Sequence, residues 1–97
     1  MKIAIASEGD NIDSEISLKG GRAPYYIIFN DKDLVEVIKN PFASGSGGAG
    51  FSVAFMLAEK EVKKVIAGKL GVNMINALKE KDIIFDEEIN KKVKEVV

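Results

Sequence analysis

The sequence predicts an α/β domain built on a five-stranded mixed sheet with helices on both faces. Three observations lead there. Met1 opens a short run, Lys2-Ile3-Ala4-Ile5-Ala6-Ser7, that is apolar on both faces, as a central strand under helices must be. A strand pair joined by Asn30-Asp31-Lys32-Asp33 follows it, and strand-like and helix-like segments alternate thereafter. With 97 residues, the chain has material for one core and one domain, 1–97.

Taken in order, the first strand is succeeded by a polar stretch from Glu8 to Gly21, long enough to be a functional loop. Ile16 and Leu18 alternate there with Ser17 and Lys19, which suggests a short edge-like segment inside it. Tyr25-Tyr26-Ile27-Ile28-Phe29 is aromatic and β-branched, with proline only at its entrance, and reads as the second strand. Leu34-Val35-Glu36-Val37-Ile38 gives the third, and the short connection makes the pair an antiparallel hairpin.

A side-chain-poor stretch, Ser44-Gly45-Ser46-Gly47-Gly48-Ala49-Gly50, then feeds an apolar helix. Phe51, Ala54, Phe55 and Ala58 share one face of it, widened by Val53, Met56 and Leu57, so deep packing is expected. Val65-Ile66-Ala67-Gly68 is a fourth strand. Gly71-Val72-Asn73 opens a second helix with Met74, Ile75 and Leu78 inward and Asn73 as its cap. Ile83-Ile84-Phe85 makes the fifth strand. A third, amphipathic helix is expected from Asp86 as cap and from Ile89, Val93, Val96 and Val97 at helical spacing. Right-handed parallel crossovers then place strand 1 in the centre, the hairpin on one side and strands 4 and 5 on the other.

Composition narrows the chemistry. Fourteen basic residues stand against fifteen acidic ones, so no net field draws the chain to nucleic acid or to a membrane surface. Cysteine and histidine are absent, which removes disulfides, thiol or imidazole nucleophiles and the commonest zinc and cluster ligands. No serine sits in a nucleophile elbow and no carboxylate pair closes an apolar strand, so the reading is non-enzymatic. Without a signal-like or spanning run, a cytoplasmic location is expected. Abundant lysine and glutamate beside missing cysteine, glutamine, histidine and tryptophan fit a thermophile.

What remains is anion binding. In an open α/β sheet, ligands collect beyond the carboxyl ends of parallel strands. Ser7 ends the first strand there, and Gly68, Lys69, Gly71 and Asn73 follow the fourth. The loop with Ser46, Gly47, Gly48 and Gly50 delivers a helix N-terminus, whose free N–H groups favour an anion. Arg22 is the chain's only arginine and the best fork for a carboxylate or an anionic cluster. Each feature also has a plain structural use: Gly20 and Gly21 as a turn, Arg22 as a surface ion pair, Met56 and Met74 as core. Asp10, Asp13 and Glu15 are acids of a solvated loop rather than a calcium site.

The ordered set Met1-Lys2-Ile3-Ala4-Ile5-Ala6-Ser7, Gly21-Arg22-Ala23-Pro24-Tyr25-Tyr26, Gly47-Gly48-Ala49-Gly50 and Val65-Ile66-Ala67-Gly68 with Gly71 and Asn73 resembles the dinitrogenase iron–molybdenum-cofactor-binding family, which includes NifX, NifY and the C-terminal domain of NifB. The resemblance implies a ribonuclease-H-like fold. It further implies non-catalytic binding of an iron–sulfur or iron–molybdenum cluster as anionic cargo, carried to an apo-metalloenzyme. The chain departs from the pattern at Gly20, where the family often has an aromatic residue, and at Val72, where it often has proline. Lacking cysteine and histidine, it would hold a cluster through oxygen, thioether or backbone contacts, or electrostatically through Arg22, Lys69 and helix N-termini. The alternative is a regulatory or binding module for a small anionic metabolite in the same crevice, without metal. A monomer or an edge-paired homodimer is compatible with either.

Overall fold

The computed structural model describes residues 1–45 and 47–97. Five strands form one sheet: β1 (Lys2–Ser7), β2 (Tyr25–Asn30), β3 (Asp33–Lys39), β4 (Val62–Ala67) and β5 (Ile84–Glu87). Helix α1 (Ala49–Glu59) links β3 to β4, and α2 (Val72–Glu80) links β4 to β5. The order across the sheet is β3-β2-β1-β4-β5, with β1 central as the crossover rules require. β1 runs antiparallel to β2 and parallel to β4, and β4 is parallel to β5.

Alternation along the central strands divides the core into two layers. Ala4, Ala6, Tyr26, Ile28, Val65 and Ala67 face one side and bury Val53, Leu57, Met74 and Leu78 of the two helices. Ile5, Ile27, Phe29 and Ile66 face the other. Both α-helices therefore lie on the same face.

The opposite face is covered differently from the expectation. Its cover is Ile16 from the 8–21 loop and Val93, with Val96 packed alongside. No third α-helix forms among the described residues. Asn90 adopts a left-handed φ of 57°, and the chain then runs extended beside the loop before a single 3₁₀ turn, Val93–Glu95. The N–H of Ile16 donates to Lys91 O at 2.9 Å and that of Val93 to Ser14 O at 2.9 Å. The backbone donors and acceptors that a helix would satisfy internally are thus spent on pairing with the loop. Asp86, expected to cap that helix, instead lies in β5 opposite Ile66, its carboxylate 3.0 Å from Lys64 Nζ.

The first helix also turns a different side inward. Ala49, Val53, Ala54 and Leu57 are buried, whereas Phe51 and Phe55 are 49 % and 54 % exposed. The cause lies at Gly50: a Cβ there would stand 2.9 Å from Met74 Cβ and 3.1 Å from Met74 N. Helices this close admit only small residues at the contact, and the bulky aromatic side is turned outward. Lys81 Nζ lies 4.6 Å over the Phe55 ring, which partly compensates that exposure.

Candidate functional site

Three chain segments meet at the carboxyl end of β1 and β4. The first is the end of the 8–21 loop. Ser17, fully buried, donates its N–H to Ala6 O at 2.9 Å, receives Gly68 N–H on its carbonyl at 2.7 Å, and accepts Lys19 N–H on Oγ at 3.1 Å. Gly20 N–H continues to Lys69 O at 3.1 Å. This strap therefore follows the strand ends and stops beside the turn after β4.

The second segment is the turn 20–23, held from beneath by two buried side chains. The Tyr26 hydroxyl donates to Gly20 O. Asn40 Nδ2 donates to Gly21 O at 3.0 Å and to Ala23 O at 2.8 Å, while its Oδ1 accepts Phe42 N–H at 3.0 Å. Every polar atom of Asn40 is thereby used, which is why a polar side chain tolerates burial there. Arg22 extends from this turn, and its Nη1 donates to Gly45 O in the glycine loop.

The third segment is the pair of helix starts. Gly48 caps α1 in a left-handed conformation (φ 69°) that costs a glycine nothing, and no side chain caps the helix. Gly71 caps α2, again without a side-chain bond, and neither helix has an acidic residue in its first turn. Asn73, expected as a cap, sits inside α2 instead. Glu87 Oε2 accepts Leu70 N–H at 2.8 Å and fixes the turn before α2.

Between these segments lies an open cavity of about 480 Å³, lined by residues 18–22, 48–50 and 71–74 together with Lys69. Among the described residues its charged lining is Lys19, Arg22 and Lys69, with no Asp or Glu. Both helix N-termini open into it, so the ends of two macrodipoles and three cations add to a positive potential there. Leu18 and Val72 stand exposed at its edge.

Of the residues singled out from the sequence, the structure brings Arg22, Gly48, Gly50, Lys69, Gly71 and Asn73 to this cavity. Ser7 does not reach it: it is fully buried, its hydroxyl donating to Gly9 O at 2.6 Å. Gly68 also lies behind the lining, where a Cβ would meet Leu18 Cδ2 at 2.7 Å. Gly47 is not among the lining residues, and Ser46 lies outside the described residues. Sequence reasoning missed Lys19, whose place depends on the strap's path. It also missed Asn40 and Tyr26, whose role is visible only as hydrogen bonds. Asp13 pairs with Lys94 at 2.7 Å, and the described residues contain no group of three or more acids that could hold a metal ion.

Comparison with known proteins agrees with this architecture. The family model described as dinitrogenase iron-molybdenum cofactor matches residues 1–97. The chain belongs to that family. A cofactor-binding role in the broad sense follows from membership, and the family is in general one of binding rather than catalytic proteins. A search of curated proteins finds no match. Among solved structures, the apo form of the orange protein from Desulfovibrio gigas superposes with a TM-score of 0.90 at 23% identity, covering 97% of this chain and 81% of that one. A candidate NifB protein of the DUF35 family from Thermotoga gives 0.83 at 30% identity, with coverage of 97% and 81%. The protein PH0822 gives 0.80 at 23% identity, with coverage of 99% and 86%. At these identities the orange protein and PH0822 speak for the fold alone. Among the described residues no helix is long and apolar enough to cross a membrane.

Proposed function

We propose that this member of the family is a non-catalytic carrier that holds an anionic metallocluster of the iron–sulfur type, the iron–molybdenum cofactor or a precursor of it, and passes it to an apo-enzyme. One observation carries this reading. Both helix N-termini and the cations Lys19, Arg22 and Lys69 converge on one open cavity with no carboxylate among its described lining residues. An anion there meets backbone N–H groups and charge-assisted donors, and the nearby Glu87 carboxylate is engaged by Leu70 N–H.

The donor set decides how such a cargo is held. The chain has no thiolate or imidazole, and the Met74 thioether is buried against Gly20. The cluster is therefore gripped by its anionic outer surface rather than by replacement of its metal ligands. That mode suits a carrier, because release needs no metal–protein bond to break. The same absence of soft ligands favours the second reading, a binding or regulatory module for a small anionic metabolite.

Anaerobic gel filtration of the protein with extracted iron–molybdenum cofactor, or with its iron–sulfur precursor, tests the proposal. Iron that co-elutes with the wild type and is lost with Arg22→Ala supports it. Absence of co-elution for both clusters overturns the carrier and leaves the metabolite reading.

A further inference from the structure

Resting on that reading of the cavity, the geometry points to a specific contact within it. We infer that the backbone N–H groups of Gly21 and Arg22 form an anion-binding pair, with Tyr26 and Asn40 as the positioning residues that aim it. The carbonyl of Gly20 is tied inward by the Tyr26 hydroxyl, and the carbonyl of Gly21 by Asn40 Nδ2. The peptide bonds of the described residues are trans. In a planar trans peptide the N–H points opposite to the C=O. Fixing the carbonyls of residues 20 and 21 toward the core therefore turns the N–H groups of residues 21 and 22 away from it, on the side where both residues line the cavity.

Neither N–H donates to another described residue, although the neighbouring N–H of Gly20 does. Two successive backbone donors facing the cavity make a small concavity suited to one anionic atom. The turn cannot relax to hide them. A Cβ on Gly21 would stand 2.8 Å from Gly50 N, so the turn is wedged against the first turn of α1. Tyr26 is itself fully buried, and burial pushes its hydroxyl well above the usual tyrosine range, so it remains a donor at neutral pH. The ligand class is an anion presenting one exposed oxygen or sulfur to the pair, beside the Arg22 guanidinium, whose Nη1 is held by Gly45 O.

The test is a titration of the uniformly labelled protein with sulfate, followed by two-dimensional amide NMR. The expected result is a saturable shift of the Gly21 and Arg22 amides that tracks the first-turn amides of α1. Tyr26→Phe keeps the ring and removes only the hydroxyl. It should weaken sulfate binding by about five-fold, the worth of one neutral hydrogen bond. It should also shrink the response of those two amides while the α1 amides still respond, which general loosening of the fold would not produce. Shifts confined to the Arg22 side chain and the lysines overturn the inference but leave the carrier reading standing. An unchanged sulfate affinity in Tyr26→Phe removes the positioning role. Failure of both sulfate and the cofactor to bind the wild type overturns the inference and the functional reading together.

Discussion

Gly50 of α1 and Met74 of α2 meet through their main chains, with Met74 N and Cα as well as Cβ inside the space a Cβ on Gly50 would occupy. This contact sets the separation of the helices and brings their N-termini to one cavity. Gly50→Ala should destabilise the protein by roughly 1–3 kcal/mol, because backbone rather than a flexible side-chain tip must move. Gly47→Ala, with nothing within 4 Å, serves as the control and should be nearly neutral. Urea denaturation of both variants checks the difference.

Arg22 joins the 20–23 turn to the glycine loop through Gly45 O while lining the cavity. Replacing it with alanine should lower anion affinity by about ten-fold or more, the worth of a charge-assisted contact. Arg22→Lys should recover only part, since an ammonium cannot present a planar fork to two acceptors. Lys19→Ala and Lys69→Ala should cost less, and their effects should fade with added salt. Isothermal titration at two ionic strengths distinguishes these outcomes.

Tyr26 carries a pH signature. Burial raises its pKa above the ordinary value of 10.0, so the folded state holds the proton more tightly than the unfolded chain. That contribution is complete below the unfolded pKa and is lost as pH rises above about 10. Wild-type stability should therefore fall with pH in that range, and Tyr26→Phe should flatten the slope. Chemical denaturation across the alkaline range measures it.

The last segment offers a test of its own. Val93 is fully buried on the second face, whereas Ile89 is 57 % exposed. Val93→Ala should cost about 1–3 kcal/mol and Ile89→Ala almost nothing. An amphipathic helix would have made the two losses similar. Equal destabilisation in thermal melts would contradict the observed cover.

At the acid end, the Lys94 ammonium holds the Asp13 carboxyl below the usual aspartate value, through a hydrogen bond and its charge. Any tether this pair supplies to the terminal segment is present above the ordinary aspartate pKa of 3.8 and is lost as pH falls through the lowered one. Protection of the Lys94 N–H, which donates to Ile12 O at 3.0 Å, taken relative to the intrinsic exchange rate at each pH, should drop in that acidic window.

Much of this was legible in the sequence because it depends on local periodicity. The two-sided apolar run at residues 2–7, the hairpin turn at 30–33 and the alternation after residue 50 were enough to order five strands. The absence of cysteine and histidine limited the chemistry open to the chain, and the glycine clusters with Arg22 pointed to segments that the fold brings to one cavity. Other features depended on partners distant along the chain. Whether the segment after Glu87 coils or runs extended was decided by the free backbone groups of residues 12–16. Phe51 and Phe55 face outward because Gly50 meets Met74. Asn40 and Tyr26 became part of the site only when folding brought the carbonyls of Gly20, Gly21 and Ala23 to their polar atoms. Periodicity is a property of neighbours in the chain, but the saturation of a hydrogen bond and the fit of one backbone against another depend on what the fold places opposite them.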